Sequence, residues 1–73
     1  MKVYLVYESD GYDTVLSAVL ETKQAAIEYV DNLGSDTMLH AITVYEVALP
    51  YVSSNSMRYQ VYYRNIVTGE TLR

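Results

Sequence analysis

The chain has 73 residues and a formal net charge of −4, and hydrophobic residues make up 51% of it. Because domains usually take about 100 to 200 residues, this length allows one small domain, residues 1–73, and excludes a large catalytic fold. Intrinsically disordered proteins combine low hydrophobicity with high charge, whereas only 19% of the residues of this chain are charged. We therefore expect a single folded domain.

The chain contains no cysteine, which excludes a disulfide framework and a thiolate metal site. A domain of this size gains only about 3 to 5 kcal/mol from its own core, so a homodimer or a bound target is favoured. No apolar run reaches the roughly 18 residues that span a bilayer, and the start Met1-Lys2-Val3-Tyr4 lacks the regions of a signal peptide. We expect a cytoplasmic protein that does not contact membranes.

The first elements in chain order are two strands joined by a turn. Residues 2–8 alternate, with Val3, Leu5 and Tyr7 on one side of the strand. Residues 9–13 contain an Asp-Gly pair, which supplies the positive φ of a tight connection. Residues 14–21 predict the second strand, whose alternation places three residues on one side: Leu16, Ala18 and Leu20.

A helix is predicted next, because Thr22 can cap it and four good helix formers follow at 23–26. Ala26, Val30 and Leu33 form one stripe of this helix, which we expect to pack on the sheet. Gly34 is the expected left-handed residue beyond its end.

Strands return after the helix. Residues 40–49 predict a third strand with Ile42 and Val44 facing away from Thr43, Tyr45 and Val47. Residues 50–56 are predicted to be a loop, and residues 57–73 a hairpin with a short return arm. In that hairpin the alternation places four residues on one side: Arg58, Gln60, Tyr62 and Arg64.

The predicted fold is α+β, a ββαββ domain with an antiparallel or mixed sheet and one helix on one face. Residues 1–49 form its ββαβ core. The strands carry apolar residues on both sides, and one helix covers one face only. We expect the other face to meet a second copy or a different protein, unless the terminal hairpin folds over it.

Acidic residues are concentrated between positions 8 and 46. This segment contains eight acidic residues and one lysine, which gives it a formal charge of −7. This field disfavours direct binding of DNA or RNA. It is either a solvated surface or a surface complementary to a basic partner. The residues that the second alternative would use, with one adjacent aromatic, are Asp10, Tyr12, Asp13, Glu28 and Asp31.

Catalytic chemistry is not indicated. The chain has one histidine, His40, and no cysteine, so no triad can be assembled and a zinc or iron site lacks ligands. Residues 10–13 would supply carboxylates to calcium, but they lack the other ligand positions of a calcium loop and also fit a hairpin turn. We predict no enzyme activity, no cofactor, no metal and no catalytic residue.

Arginine and tyrosine alternate in the last hairpin, and this combination suits base stacking or a protein hot spot. Because the rest of the chain is acidic, protein contact is the better interpretation. Its candidate contact residues are Arg58, Tyr62 and Arg64.

Three segments resemble a family of short phage and bacterial proteins: Lys2-Val3-Tyr4-Leu5-Val6, Thr22-Lys23-Gln24-Ala25-Ala26 and Ile42-Thr43-Val44-Tyr45-Glu46. The resemblance covers residues 1–49 and implies the ββαβ fold without an active site. In element order the chain is also similar to small phage anti-CRISPR proteins, although no functional residue matches.

These observations favour a small non-enzymatic interaction protein, phage-encoded, that inhibits a host protein such as a defence complex with a basic surface. The alternative is a self-associating structural or regulatory subunit, a homodimer. A third possibility is nucleic-acid binding through the C-terminal hairpin, which predicts a steep salt dependence.

Overall fold

The computed structural model describes residues 1–33, 39–49 and 58–72, which form an α+β structure as predicted. The elements are β1 (Lys2–Ser9), β2 (Thr14–Leu20), α1 (Lys23–Leu33), β3 (Ala41–Ala48), β4 (Arg58–Asn65) and β5 (Thr71–Leu72). Each predicted strand end lies within one residue of the observed end. The predicted cap at Gly34 and the predicted loop over residues 50–56 lie outside the described residues.

The strands form one five-stranded sheet in the order β2-β1-β3-β4-β5, and every neighbouring pair is antiparallel. The sheet therefore has one strand more than the predicted ββαββ order, and this strand, β5, is the short return arm predicted for the last hairpin. β4 pairs with β3 and β5 pairs with β4, so the C-terminal hairpin widens the sheet. The alternative in which this hairpin folds over the open face is wrong.

The helix crosses one side of the sheet, which we call the covered face. Its first turn is capped as predicted, because the backbone N–H of Ala25 donates to Oγ1 of Thr22 at 3.0 Å. The side chains that are fully buried between helix and sheet are Val6, Ala26, Val30, Ile42, Val44 and Tyr62. Leu33 is partly buried against them, which confirms the predicted stripe. Burial of apolar surface stabilises this layer by roughly 25 cal/mol per Å².

The second strand contains a bulge that the alternation does not predict. Val6 pairs with Ala18, but the next residue, Tyr7, pairs with Leu16. Ser17 is therefore an extra residue, and Leu16 and Ala18 face opposite sides of the sheet. The prediction that these two share a side is wrong, because both sides of this strand are apolar and a period of two then gives no register.

A second bulge changes the side of the sheet on which some β4 side chains lie. Val44 pairs with Tyr62, whereas Tyr45 pairs with Gln60, so Val61 is the extra residue. Arg58 and Gln60 consequently face away from the helix, while Tyr62 and Arg64 lie on the covered face. The prediction that all four share one side is wrong.

Candidate protein-interaction surface

The sheet side opposite α1, which we call the helix-free face, is apolar and aromatic. The register places on it residues such as Leu5, Tyr7, Leu16, Val19, Tyr45 and Tyr63. Its apolar side chains are about half exposed at both edges of the sheet, with Leu16 50% and Val19 55% exposed in β2 and Leu72 53% exposed in β5. Among the described residues no helix lies over this face, although Val47 of the central strand β3 is only 2% exposed on it.

Charge is divided unequally between the two faces. Five strand residues are charged, and four of them lie on the covered face: Lys2, Glu8, Glu46 and Arg64. The fifth, Arg58, is on the helix-free face, where no strand carboxylate accompanies it. Among the described strand residues, the helix-free face of this acidic chain therefore carries no carboxylate.

A depression of about 270 Å³ lies on the helix-free face. Its lining consists of Tyr7, Ser9, Thr14, Thr43, Tyr45 and Arg58. The rings of Tyr7 and Tyr45 meet edge to face, with centroids 5.7 Å apart and an interplanar angle of 80°. The Arg58 guanidinium lies 5.0 Å from the centroid of the Tyr45 ring. Rigid rings and a guanidinium beside apolar surface are the side chains that dominate protein contacts.

On the covered face, Lys2, Tyr4 and Glu46 interact with one another. The Nζ of Lys2 lies 3.2 Å from Glu46, and the hydroxyl of Tyr4 donates to the same carboxylate at 3.0 Å. The Lys2 ammonium, followed by the Tyr4 hydroxyl, lowers the pKa of Glu46 below its ordinary value. The same hydrogen bond raises the pKa of Tyr4. These groups already have internal partners, so they serve the fold.

Two predicted acidic contact residues lie on the outer side of α1. Asp31 accepts a hydrogen bond from Arg64 at 3.1 Å, which links the helix to β4. Glu28 accepts a weaker one from Gln24 at 3.3 Å, one turn away. The two contact candidates Asp31 and Arg64 thus lie together and partly neutralise each other.

Three further candidates lie at the tip of the β1–β2 hairpin. The Asp10 carboxylate accepts the backbone N–H groups of Asp13 at 2.8 Å and Tyr12 at 2.9 Å, which lowers the pKa of Asp10. Gly11 has the predicted positive φ, 94°, and the ring of His40 lies against it. The tip is an ordered turn, and Tyr12 is 94% exposed there. Asp10 holds the turn, which leaves Tyr12 and Asp13 open to solvent.

Tyr62 is not on the surface. Its side chain is 1% exposed within the core, because the β4 bulge directs it under the helix. The predicted contact role of Tyr62 is therefore corrected to a structural one. The same bulge separates Arg58 from Arg64, so these two arginines do not form one stripe.

The described residues contain no group of three or more histidine, cysteine or acidic side chains placed to hold a metal ion. A smaller depression of about 220 Å³ is lined by Glu8, Asp10, Asp13, Val15 and Leu39, but its carboxylates do not converge as metal ligands. Over the same residues, none of the helical structure has the length and hydropathy that crossing a bilayer requires.

Sequence reasoning identified Arg58 but not the surface around it. Tyr7 and Tyr45 occupy the side of their strands that the alternation predicts, so they could have been found by pairing β1 with β3. Leu16 could not have been found, because its side depends on the bulge at Ser17. Comparison of the chain with protein-family models, with curated proteins and with solved structures finds no match.

Proposed function

We propose that this protein is a non-enzymatic protein-binding module whose contact surface is the helix-free face. One observation carries the proposal: an acidic chain presents a five-stranded face with apolar and aromatic side chains, a single arginine and no strand carboxylate. Monomeric proteins rarely leave a large contiguous apolar patch open, and such patches usually bind another protein.

The chemistry of the depression supports a protein as the ligand. Tyrosine and arginine are enriched at energetic centres of protein interfaces, and here Tyr45 and Arg58 line the depression together with Tyr7 and three hydroxyl side chains: Ser9, Thr14 and Thr43. A nucleic acid would need several cations along its backbone, and Arg58 is the only strand cation of this face. Inhibition of a host protein is compatible with this module and stays a prediction.

The acidic surface is the competing contact site. It would consist of Tyr12, Asp13 and Glu28, since Asp31 is paired with Arg64 and Asp10 holds its own turn. Tyr12 and Asp13 share the β1–β2 turn whereas Glu28 lies on α1, so the surface is divided between two elements, which makes it better suited to steering a basic partner than to anchoring it.

Capture experiments with matched variants test the proposal. Val15 and Leu16 are neighbours in β2 with 58% and 50% exposure, but they face opposite sides of the sheet. The immobilised chain is exposed to a lysate of the encoding organism to which untagged chain has been added. We expect Leu16→Lys to lose a bound protein that wild type and Val15→Lys retain. Loss caused by Glu28→Lys, with binding by Leu16→Lys intact, would move the contact to the acidic surface and contradict the proposal.

A further inference from the structure

We propose that the partner of the helix-free face is a second copy of this chain, bound face to face in a symmetric homodimer with the helices outside. This inference rests on the proposed function and names the protein that the surface binds. The arrangement would bury the aromatic depressions of both copies between two sheets, in the layer order helix, sheet, sheet, helix. Packed sheets lie about 10 Å apart and fill the space between them with side chains from both inner faces.

The distribution of charge favours contact between two copies through their helix-free faces. Each copy carries a net charge of −4, so two copies repel one another through most of their surfaces. An approach through α1 would bring Glu28 and Asp31 together, and an approach through the hairpin tip would do the same for Asp10 and Asp13. On the helix-free face the charged strand residue is Arg58, which already lies over Tyr45. A symmetric contact here brings no strand carboxylates together.

The area is sufficient for an interface. Strands about 4.8 Å apart with a rise of about 3.3 Å per residue give this face a footprint of roughly 500 Å². Two copies would then bury roughly 1,000 Å² before the relief of the side chains is added, which meets the approximate lower limit for a specific contact. We expect a dimer that dissociates on dilution.

The edge of β2 is the competing place for self-association. Its seven residues include no charge and no proline, which would permit pairing with another strand. However, the bulge at Ser17 interrupts the edge, and Asp13 and Glu21 flank it, so an antiparallel copy centred on Ser17 would bring these carboxylates together. The face avoids this repulsion.

Sedimentation equilibrium over a wide concentration series tests the inference. Wild type should shift from the monomer mass of 8.3 kDa to twice that value as concentration rises. In a symmetric dimer, Leu16→Lys or Val19→Lys places one lysine from each copy in the proposed interface. Each substitution should therefore raise the dimer Kd roughly a hundredfold. Val15→Lys, on the opposite side of the same strand, should leave the Kd unchanged. Circular dichroism confirms that each variant is folded.

Two results would overturn the inference. The first is a wild-type chain that keeps the monomer mass at every concentration. The second is a dimer that Val15→Lys weakens as much as Leu16→Lys, which would indicate pairing through the β2 edge. If the chain is monomeric but Leu16→Lys still loses a different protein in the capture experiment, the second-copy inference fails while the proposed function stands. If Leu16→Lys loses nothing in either experiment, both fail.

Discussion

The covered and helix-free faces belong to the same strands, yet their side chains have different surroundings. On the covered face, Val6, Ile42 and Val44 are completely buried beneath α1. On the opposite face, Leu16 and Val19 in the edge strand β2 remain about half exposed, whereas Val47 in the central strand β3 is only 2% exposed. The comparison teaches that hydrophobicity marks both faces as surfaces to be buried, and that the helix buries the centre of one face while apolar side chains at the β2 edge of the other stay open.

The largest expected difference between the faces concerns adjacent tyrosines in β4. Tyr62→Ala removes a ring that is 1% exposed in the core, and we expect it to lower the free energy of unfolding by about 3 to 5 kcal/mol, which is enough to unfold a domain of this size. Tyr63 lies on the helix-free face and is only partly buried, so Tyr63→Ala should cost much less. Urea unfolding followed by circular dichroism measures both. Equal losses would contradict the division of roles between the faces.

A smaller difference is expected for two tyrosine hydroxyls. The hydroxyl of Tyr29 on α1 is hydrogen-bonded to Oγ of Ser17 at 2.7 Å, which ties the helix to the β2 bulge. Tyr29→Phe should therefore lower the free energy of unfolding by about 0.5 to 1.5 kcal/mol. Tyr7→Phe on the helix-free face should change the free energy of unfolding little, because Tyr7 contacts Tyr45 through its ring, which phenylalanine retains. Thermal unfolding at low protein concentration measures each variant without contributions from self-association.

Substitutions of the two arginines of β4 should differ less in their effect on the free energy of unfolding than the tyrosine substitutions do. Arg64 links the sheet to Asp31 across a partly exposed ion pair, and such pairs contribute roughly 0.2 to 1 kcal/mol. Arg64→Gln should lose about this amount, and added salt should reduce the loss. Arg58→Gln removes the guanidinium contact with the Tyr45 ring, so the monomer should lose at most about 0.5 to 1 kcal/mol without the salt dependence of an ion pair, and binding through the helix-free face should weaken. Unfolding curves at low and high salt distinguish these outcomes; a salt-sensitive loss at Arg58 would reverse the assignment.

The smallest expected effect is a dependence of stability on pH, caused by Glu46 on the covered face. Lys2 and Tyr4 lower the pKa of Glu46 in the folded chain, so the ionised carboxylate favours folding. This contribution is fully present above the ordinary pKa of a glutamate and is lost as the pH falls through the lower folded value. Glu46→Gln should therefore be less stable than wild type near neutral pH, and the difference should shrink in acid. An unchanged difference across this range would mean that Glu46 acts by shape alone.

Much of the local structure could be predicted because it depends on neighbouring residues. Thr22 caps α1 through a side chain three residues from its backbone donor, and Gly11 adopts the positive φ that a tight turn requires. The candidate surface was predictable in part. An uncovered apolar face was expected, and Arg58 lies on it, but Tyr62 was assigned to the surface and is buried.

The sequence by itself determined which segments become strands and helix, because period, caps and turn residues act over a few positions. Only the tertiary structure decided the side on which Leu16, Arg58 and Tyr62 lie, since each depends on a bulge in the pairing of two neighbouring strands. It also decided that the last hairpin widens the sheet, so that none of the described residues outside the strands forms a helix over the second face. Where both sides of a strand are apolar, alternation cannot fix the register, and packing against the helix selects it.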